Sequence, residues 1–152
     1  MTAKFVVYET PKGKARARVG RNANGFVHSY TPKTTVEFEN AIAWAYRVAQ
    51  LGVFKKDVPL KMTATFYMPI PQSASKKLKK SLVGWWHTKK PDTSNIIKSV
   101  EDALNNLAYP DDSQISWLDV RKVYGEEPRL EIEFTELTER RNENVADGSD
   151  AE

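Results

Sequence analysis

Residues 58–70, VPLKMTATFYMPI, place Val58, Leu60, Met62, Ala64, Phe66, Met68 and Ile70 at every second position without a break. Successive side chains of a strand point to opposite faces, so this stretch predicts a strand with one apolar face and one polar face carrying Lys61, Thr63, Thr65 and Tyr67. Such a strand needs hydrogen-bonding neighbours on its edges and an apolar layer against one face. The chain has to supply both, which narrows the fold to a sheet covered on one side.

Two segments have the period of a covering helix. In the first, Phe38, Ala41, Ile42, Ala45, Val48 and Ala49 share one face; it opens at Thr31-Pro32 and ends near Gly52. In the second, Ile96, Ile97, Val100, Ala103, Leu104 and Leu107 lie on one side and Asn95, Lys98 and Asp102 on the other. A third, short helix is expected within ASKKLKKSL, followed by an aromatic and basic loop.

The remaining strands read as hairpins. KFVVYE and KGKARARVG form an expected N-terminal hairpin across a Pro-Lys-Gly turn, RNANG turns into a short strand at FVHSY, and QISWLDVRKVY with PRLEIEF forms an expected terminal hairpin. The fold class that results is α/β in the α+β sense, a mixed or antiparallel sheet with helices packed on it. A single domain is expected over residues 1–137. Residues 138–152 hold too few apolar side chains to offset chain ordering and are expected to be a disordered tail.

Composition removes several kinds of chemistry. The 152 residues include no cysteine, which excludes disulfides, thiolate nucleophiles and cysteine-ligated zinc and suits a reducing compartment. No apolar run approaches the roughly 20 residues of a membrane-spanning helix, and the N-terminus has no signal-peptide core, so the expected location is the cytoplasm, without membrane association. The net charge is +3, yet residues 139–152 hold five acids against two arginines, which leaves +6 on residues 1–138. That balance suits a polyanionic partner and is also common among ordinary soluble domains.

Chemistry concentrates around the second helix. In KKPDTSNIIKSVEDALNNLAYPDDSQI (residues 89–115), Asp92 precedes the helical pattern and Asp111 and Asp112 follow it. Each has an ordinary explanation: a helix N-cap for Asp92, a turn for Pro110-Asp111-Asp112-Ser113. The same order of residues resembles the RusA family of Holliday-junction resolvases, whose signature runs Pro-Asp-x-Asp-Asn, two residues, Lys, then Asp-Ala-Leu, a short loop, Asp-Asp and a strand containing Lys. Here it reads Pro91-Asp92-Thr93-Ser94-Asn95, Lys98, Asp102-Ala103-Leu104, Asp111-Asp112 and Lys122. The resemblance implies a homodimeric endonuclease that nicks four-way DNA junctions symmetrically with Mg2+ or Mn2+ and needs no small-molecule cofactor. It makes Asp92 and Asp112 metal ligands, Asp111 an assisting ligand, Lys98 the stabiliser of phosphate charge, and Asn95 an orienting side chain. These are suitable types, since hard divalent cations take oxygen ligands and a cation offsets charge developing on the phosphate.

One position departs from the signature: Ser94 stands where the family has its second aspartate. A hydroxyl can hold a metal-bound water but brings no charge, which leaves three explanations: a natural variant that leans on Asp111, a member that binds branched DNA with weakened or no cleavage, or a substitution introduced to inactivate the enzyme. Upstream, Lys76, Lys77, Lys79, Lys80, Lys89 and Lys90 surround Trp85 and Trp86. They read either as a solvated helix face and a dimer core, or as phosphate contacts with two stacking platforms for unpaired bases. Lys122 is either a snorkelling strand lysine or a DNA contact. His28 and His87 are expected to be non-catalytic, with His87 near enough to the motif to meet a phosphate.

Overall fold

A computed structural model describes residues 1–138. The alternating segment is strand β4, Leu60–Pro69, and Leu60, Met62, Ala64, Phe66 and Met68 on its apolar face are all buried. β4 is paired on both edges, parallel to β5 (Ile115–Gly125) and antiparallel to β6 (Arg129–Glu136), while β6 also pairs antiparallel with β1 (Thr2–Val7). The order β1-β6-β4-β5 makes the sheet mixed, in one α+β domain.

Two expected hairpins are therefore corrected. β6 does follow β5 in the chain, but β4 lies between them, because β4 offers the longest unbroken apolar face and burying it requires a neighbour on each side. At the N-terminus, β1 pairs with β6, and residues 8–17 form no strand. The hairpin that does form joins β2 (Arg18–Arg21) to β3 (Val27–Tyr30) through the predicted Asn-rich turn. Asn22 Oδ1 accepts from the N–H groups of Asn24 and Phe26, and Gly25 has φ +81°, the left-handed geometry that such a turn needs.

Helices α1 (Lys33–Val48) and α3 (Thr93–Leu104) pack on each other and on one face of the sheet. α3 buries Ile96, Ile97, Val100 and Leu104 as the periodicity predicts, with Ser99 enclosed among them. α1 departs from its expected face at the C-terminal end: Thr35, Phe38, Ile42 and Tyr46 are the buried residues, whereas Val48 and Ala49 are exposed. Tyr46 takes the inner position because its ring meets Phe5 edge-on at 5.2 Å and its hydroxyl donates to the Gly52 carbonyl. The short helix α2 (Lys76–Leu82) buries no residue; Ser75 caps it by accepting from the Leu78 N–H at 3.2 Å. The expected tail lies, from residue 139, outside the described residues. Among the described residues no helix is long and apolar enough to cross a membrane.

Candidate active site

The connection from β4 to β5 has to run back the length of the sheet for the two strands to be parallel, and α3 is part of that return. As a result the motif helix lies on the sheet with one face buried, and Ser94, Asn95 and Lys98 are exposed. Asp92 sits at the N-cap, but its carboxylate makes no capping bond; it accepts instead from Lys90 Nζ at 3.0 Å. That pair is exposed and contributes no more than about 1 kcal/mol.

Asp111 and Asp112 are held at the opposite end of α3. Asp111 opens a short 3-10 turn, Asp112–Gln114, as a capping box: its carboxylate accepts from the Ser113 N–H, and the Gln114 side-chain oxygen accepts from the Asp111 N–H. The buried Gln114 also donates its amide to the carbonyls of Lys55 and Val58, at 2.8 and 3.1 Å. Asn105, at the C-cap of α3, accepts from the Asp112 N–H, and the buried Tyr109 hydroxyl donates to the Glu101 carbonyl. The acid pair thus sits on a turn tied to the helix on one side and to the loop before β4 on the other. Gln114→Ala is expected to leave the two carbonyls unsatisfied and cost about 1–3 kcal/mol, measurable by chemical denaturation.

The electrostatics of this end are those of crowded carboxylates. Asp112 is pushed above the ordinary carboxylate value first by desolvation and then by its hydrogen bond with Asp111 and the nearby Asp111 charge, while Lys98 pulls it down. Glu101 is likewise raised, by burial and then by Asp112. Asp111 is lowered, mainly because its oxygens accept from Ser113. Lys98 Nζ pairs with Asp102 at 3.4 Å, one turn along the helix. Asp102 is shared with Lys14, whose amine also reaches Glu39 at 2.8 Å. Burial works to lower the Lys14 pKa, but its hydrogen bonds to Asp102 and Glu39 outweigh that and hold it above the usual lysine value.

The structure therefore places Asp111 and Asp112 at the C-terminal end of α3, with Lys98, Glu101 and Asp102 within electrostatic reach of Asp112. Asp92 is not part of that group. Among the described residues no three of His, Cys, Asp or Glu are placed to hold a metal ion. The donor chemistry does fit Mg2+ or Mn2+ in another mode, because such ions are commonly held through one or two carboxylates with water and substrate phosphate completing the shell. Asp111 and Asp112 are adjoining hard oxygen donors whose mutual repulsion a cation relieves.

Around the other end of α3, Lys122 lies on the helix side of β5, and its amine donates to the carbonyls of Lys89 and Pro91, tying down the entry to the motif. His87 donates its backbone N–H to the Lys122 carbonyl and packs edge-on against Tyr124 at 4.8 Å; burial, then Lys122 and Lys89, lower its pKa. Trp85 and Trp86 are exposed on a segment that pairs with the end of β5. Lys76, Lys77, Lys79, Lys80 and Lys89 make no ion pair among the described residues.

Sequence reasoning missed Lys14 and Gln114 as supports of the site. Gln114 had a local signal, since Asp111-x-x-Gln114 is a capping-box spacing. Lys14 had none, because nothing local says that residues 8–17 cross to α3.

Two adjoining carboxylates on a turn, an amine within electrostatic reach and lysines without ion pairs upstream of the motif are residue types suited to phosphodiester chemistry. Residues 9–135 match the family model described as Endodeoxyribonuclease RusA, and the chain belongs to that family. It is 38% identical over 139 residues to the uncharacterized protein YqaN of Bacillus subtilis (strain 168), covering 89% of this chain and 96% of that protein. It is 42% identical over 87 residues to the crossover junction endodeoxyribonuclease rusA of Lactococcus phage r1t, covering 55% of this chain and 60% of that protein.

Proposed function

We propose that this chain is a structure-specific endonuclease that resolves four-way DNA junctions by paired symmetric nicks, acting as a homodimer with Mg2+ or Mn2+. The observation that carries the reading is the Asp111–Asp112 pair fixed on a turn at the C-terminal end of α3, in a chain of the RusA family. The phage relative's name supports the junction as substrate. A two-fold protein matches a junction, which presents two equivalent scissile strands.

In this reading Asp111 and Asp112 would hold the divalent ion, which would supply an activated water and offset charge on the phosphate. Lys98 offsets charge that develops on the phosphodiester oxygens, and its pairing with Asp102 aims the amine. Asp92, at the other end of α3, becomes free to meet a cation when a phosphate draws Lys90 from it, and Ser94 and Asn95 line the exposed first turn between. Lys76, Lys77, Lys79, Lys80, Lys89, Lys90 and Lys122 supply positive charge along the DNA path, and Trp85 and Trp86 offer exposed rings for stacking on unpaired bases. The location that goes with this activity is the cytoplasm.

A second reading, a branched-DNA-binding protein with weakened cleavage, is favoured by Ser94 and by the finding that, among the described residues, no three acids are placed to hold a metal ion together. End-labelled four-way junction incubated with the protein separates the two. Paired nicks on a denaturing gel that require Mg2+ or Mn2+ and vanish with a chelator support the nuclease. A shift on a native gel with intact strands supports the binding protein, and an absence of both rejects each.

A further inference from the structure

From residue 10 to residue 36 the chain contains six cations and no acid. Lys14 is paired with Asp102 and Glu39, and Lys33 with Glu37 at 3.6 Å. Lys12, Arg16, Arg18 and Arg21 have no carboxylate partner among the described residues. The last two lie on the β2–β3 ribbon, in which no residue is buried.

A two-stranded ribbon with four-residue strands and no face packed on a core is marginal by itself in water. This one has a formed turn at its tip and a clamped base. At the base the Lys14 N–H donates to the Asn95 carbonyl at 3.1 Å, the Ala15 N–H donates to Thr35 Oγ1 at 3.2 Å, and Gly13 fits so closely that a Cβ there would meet Pro91 Cβ at 3.0 Å. The ribbon is thus rooted on Pro91–Asn95, the opening of the motif helix, and on the first turn of α1.

Its two faces are chemically matched. Arg18 pairs across the strands with Tyr30, whose ring lies near that of His28 at 5.8 Å, over Gly20; Arg21 pairs with Val27 and projects from the opposite face. The major groove of duplex DNA admits a two-stranded ribbon, and a ribbon with an arginine on each face can reach a phosphate on either wall.

We propose that the β2–β3 ribbon is a second DNA-contacting element, lying along the duplex arm next to the strand held at the motif, with Arg18 and Arg21 on backbone phosphates. The inference rests on the nuclease reading and adds a surface that the motif and the lysines around Trp85 and Trp86 do not include. Because the ribbon leaves the core untouched, Arg18→Ala/Arg21→Ala is expected to fold normally.

The experiment measures binding of wild type, the double alanine variant and Arg18→Lys/Arg21→Lys to a four-way junction over a range of salt concentrations, with sedimentation velocity on each protein. The alanine variant is expected to lower the slope of log affinity against log salt by about 2 and to weaken binding at 0.1 M salt by about 10- to 60-fold. The lysine variant is expected to restore the slope. A wild type that shifts the junction while the alanine variant keeps the same slope overturns the ribbon inference alone. Dissociation of the alanine variant to a smaller species assigns the ribbon to a second copy of the chain and overturns it too. A wild type that fails to bind any junction removes the nuclease reading and the inference with it.

Discussion

Asp112→Asn is expected to lower nicking of a four-way junction by 100-fold or more, about 2.7 kcal/mol of lost transition-state stabilisation, while the native-gel shift persists. The carboxylate is one of two adjoining oxygen donors on the turn, so its replacement removes a proposed cation ligand and a negative charge within reach of Lys98. The same substitution is expected to leave stability at neutral pH equal or higher. In the folded chain Asp112 is raised above its ordinary carboxylate value of 3.8 by desolvation and by Asp111, so its contribution to stability is present at acid pH and lost as pH rises through the elevated value. An amide in that place carries no such charge. Denaturant unfolding at pH 7 run beside the nicking assay separates the effects, and a well-folded Asp112→Asn protein that cuts at the wild-type rate would remove Asp112 from the chemistry.

Ser94→Asp is expected to raise the nicking rate about tenfold or more. The residue is exposed in the first turn of α3, which carries no acid, and lies one helical turn before Lys98. A carboxylate there adds a hard oxygen donor beside Asp92 at the opening of α3, and negative charge at a helix N-terminus also favours the helix by about 0.3–1 kcal/mol. Rate against Mg2+ concentration is the informative measurement, with the curve expected to move to lower metal as well as higher rate. An unchanged or slower reaction from a protein that still folds and binds the junction would show that the serine is not what limits catalysis.

The layout of the sheet was partly legible beforehand and partly not. Period-2 alternation marked β4 unambiguously, and the period of α3 separated its buried Ile96, Ile97, Val100 and Leu104 from the exposed Asn95 and Lys98. Strand pairing was misread at both ends of the chain. Adjacent strands joined by a short turn read as hairpins, but β5 and β6 each gain more by flanking β4 than by pairing with each other, and local sequence does not weigh one burial against another. The expected inner positions Val48 and Ala49 are exposed, because Tyr46, packed edge-on against Phe5, takes the last buried place on α1.

The acids divide similarly. The order of Asp92, Lys98, Asp102 and Asp111-Asp112 was enough to suggest phosphodiester chemistry, because residue type and spacing are properties of the chain itself. Which of them share a space was not, since a rigid 12-residue helix extends about 18 Å and keeps its two ends apart. Thus the sequence alone determined the apolar faces of β4 and α3, the motif and the absence of thiol chemistry. Only the tertiary structure decided that the Asp111–Asp112 turn is tied to the C-cap of α3, that Lys14 crosses to Asp102, and that a bare basic ribbon is rooted beside the motif. Each of those facts depends on where segments distant in the chain are forced to lie when a single sheet buries one face.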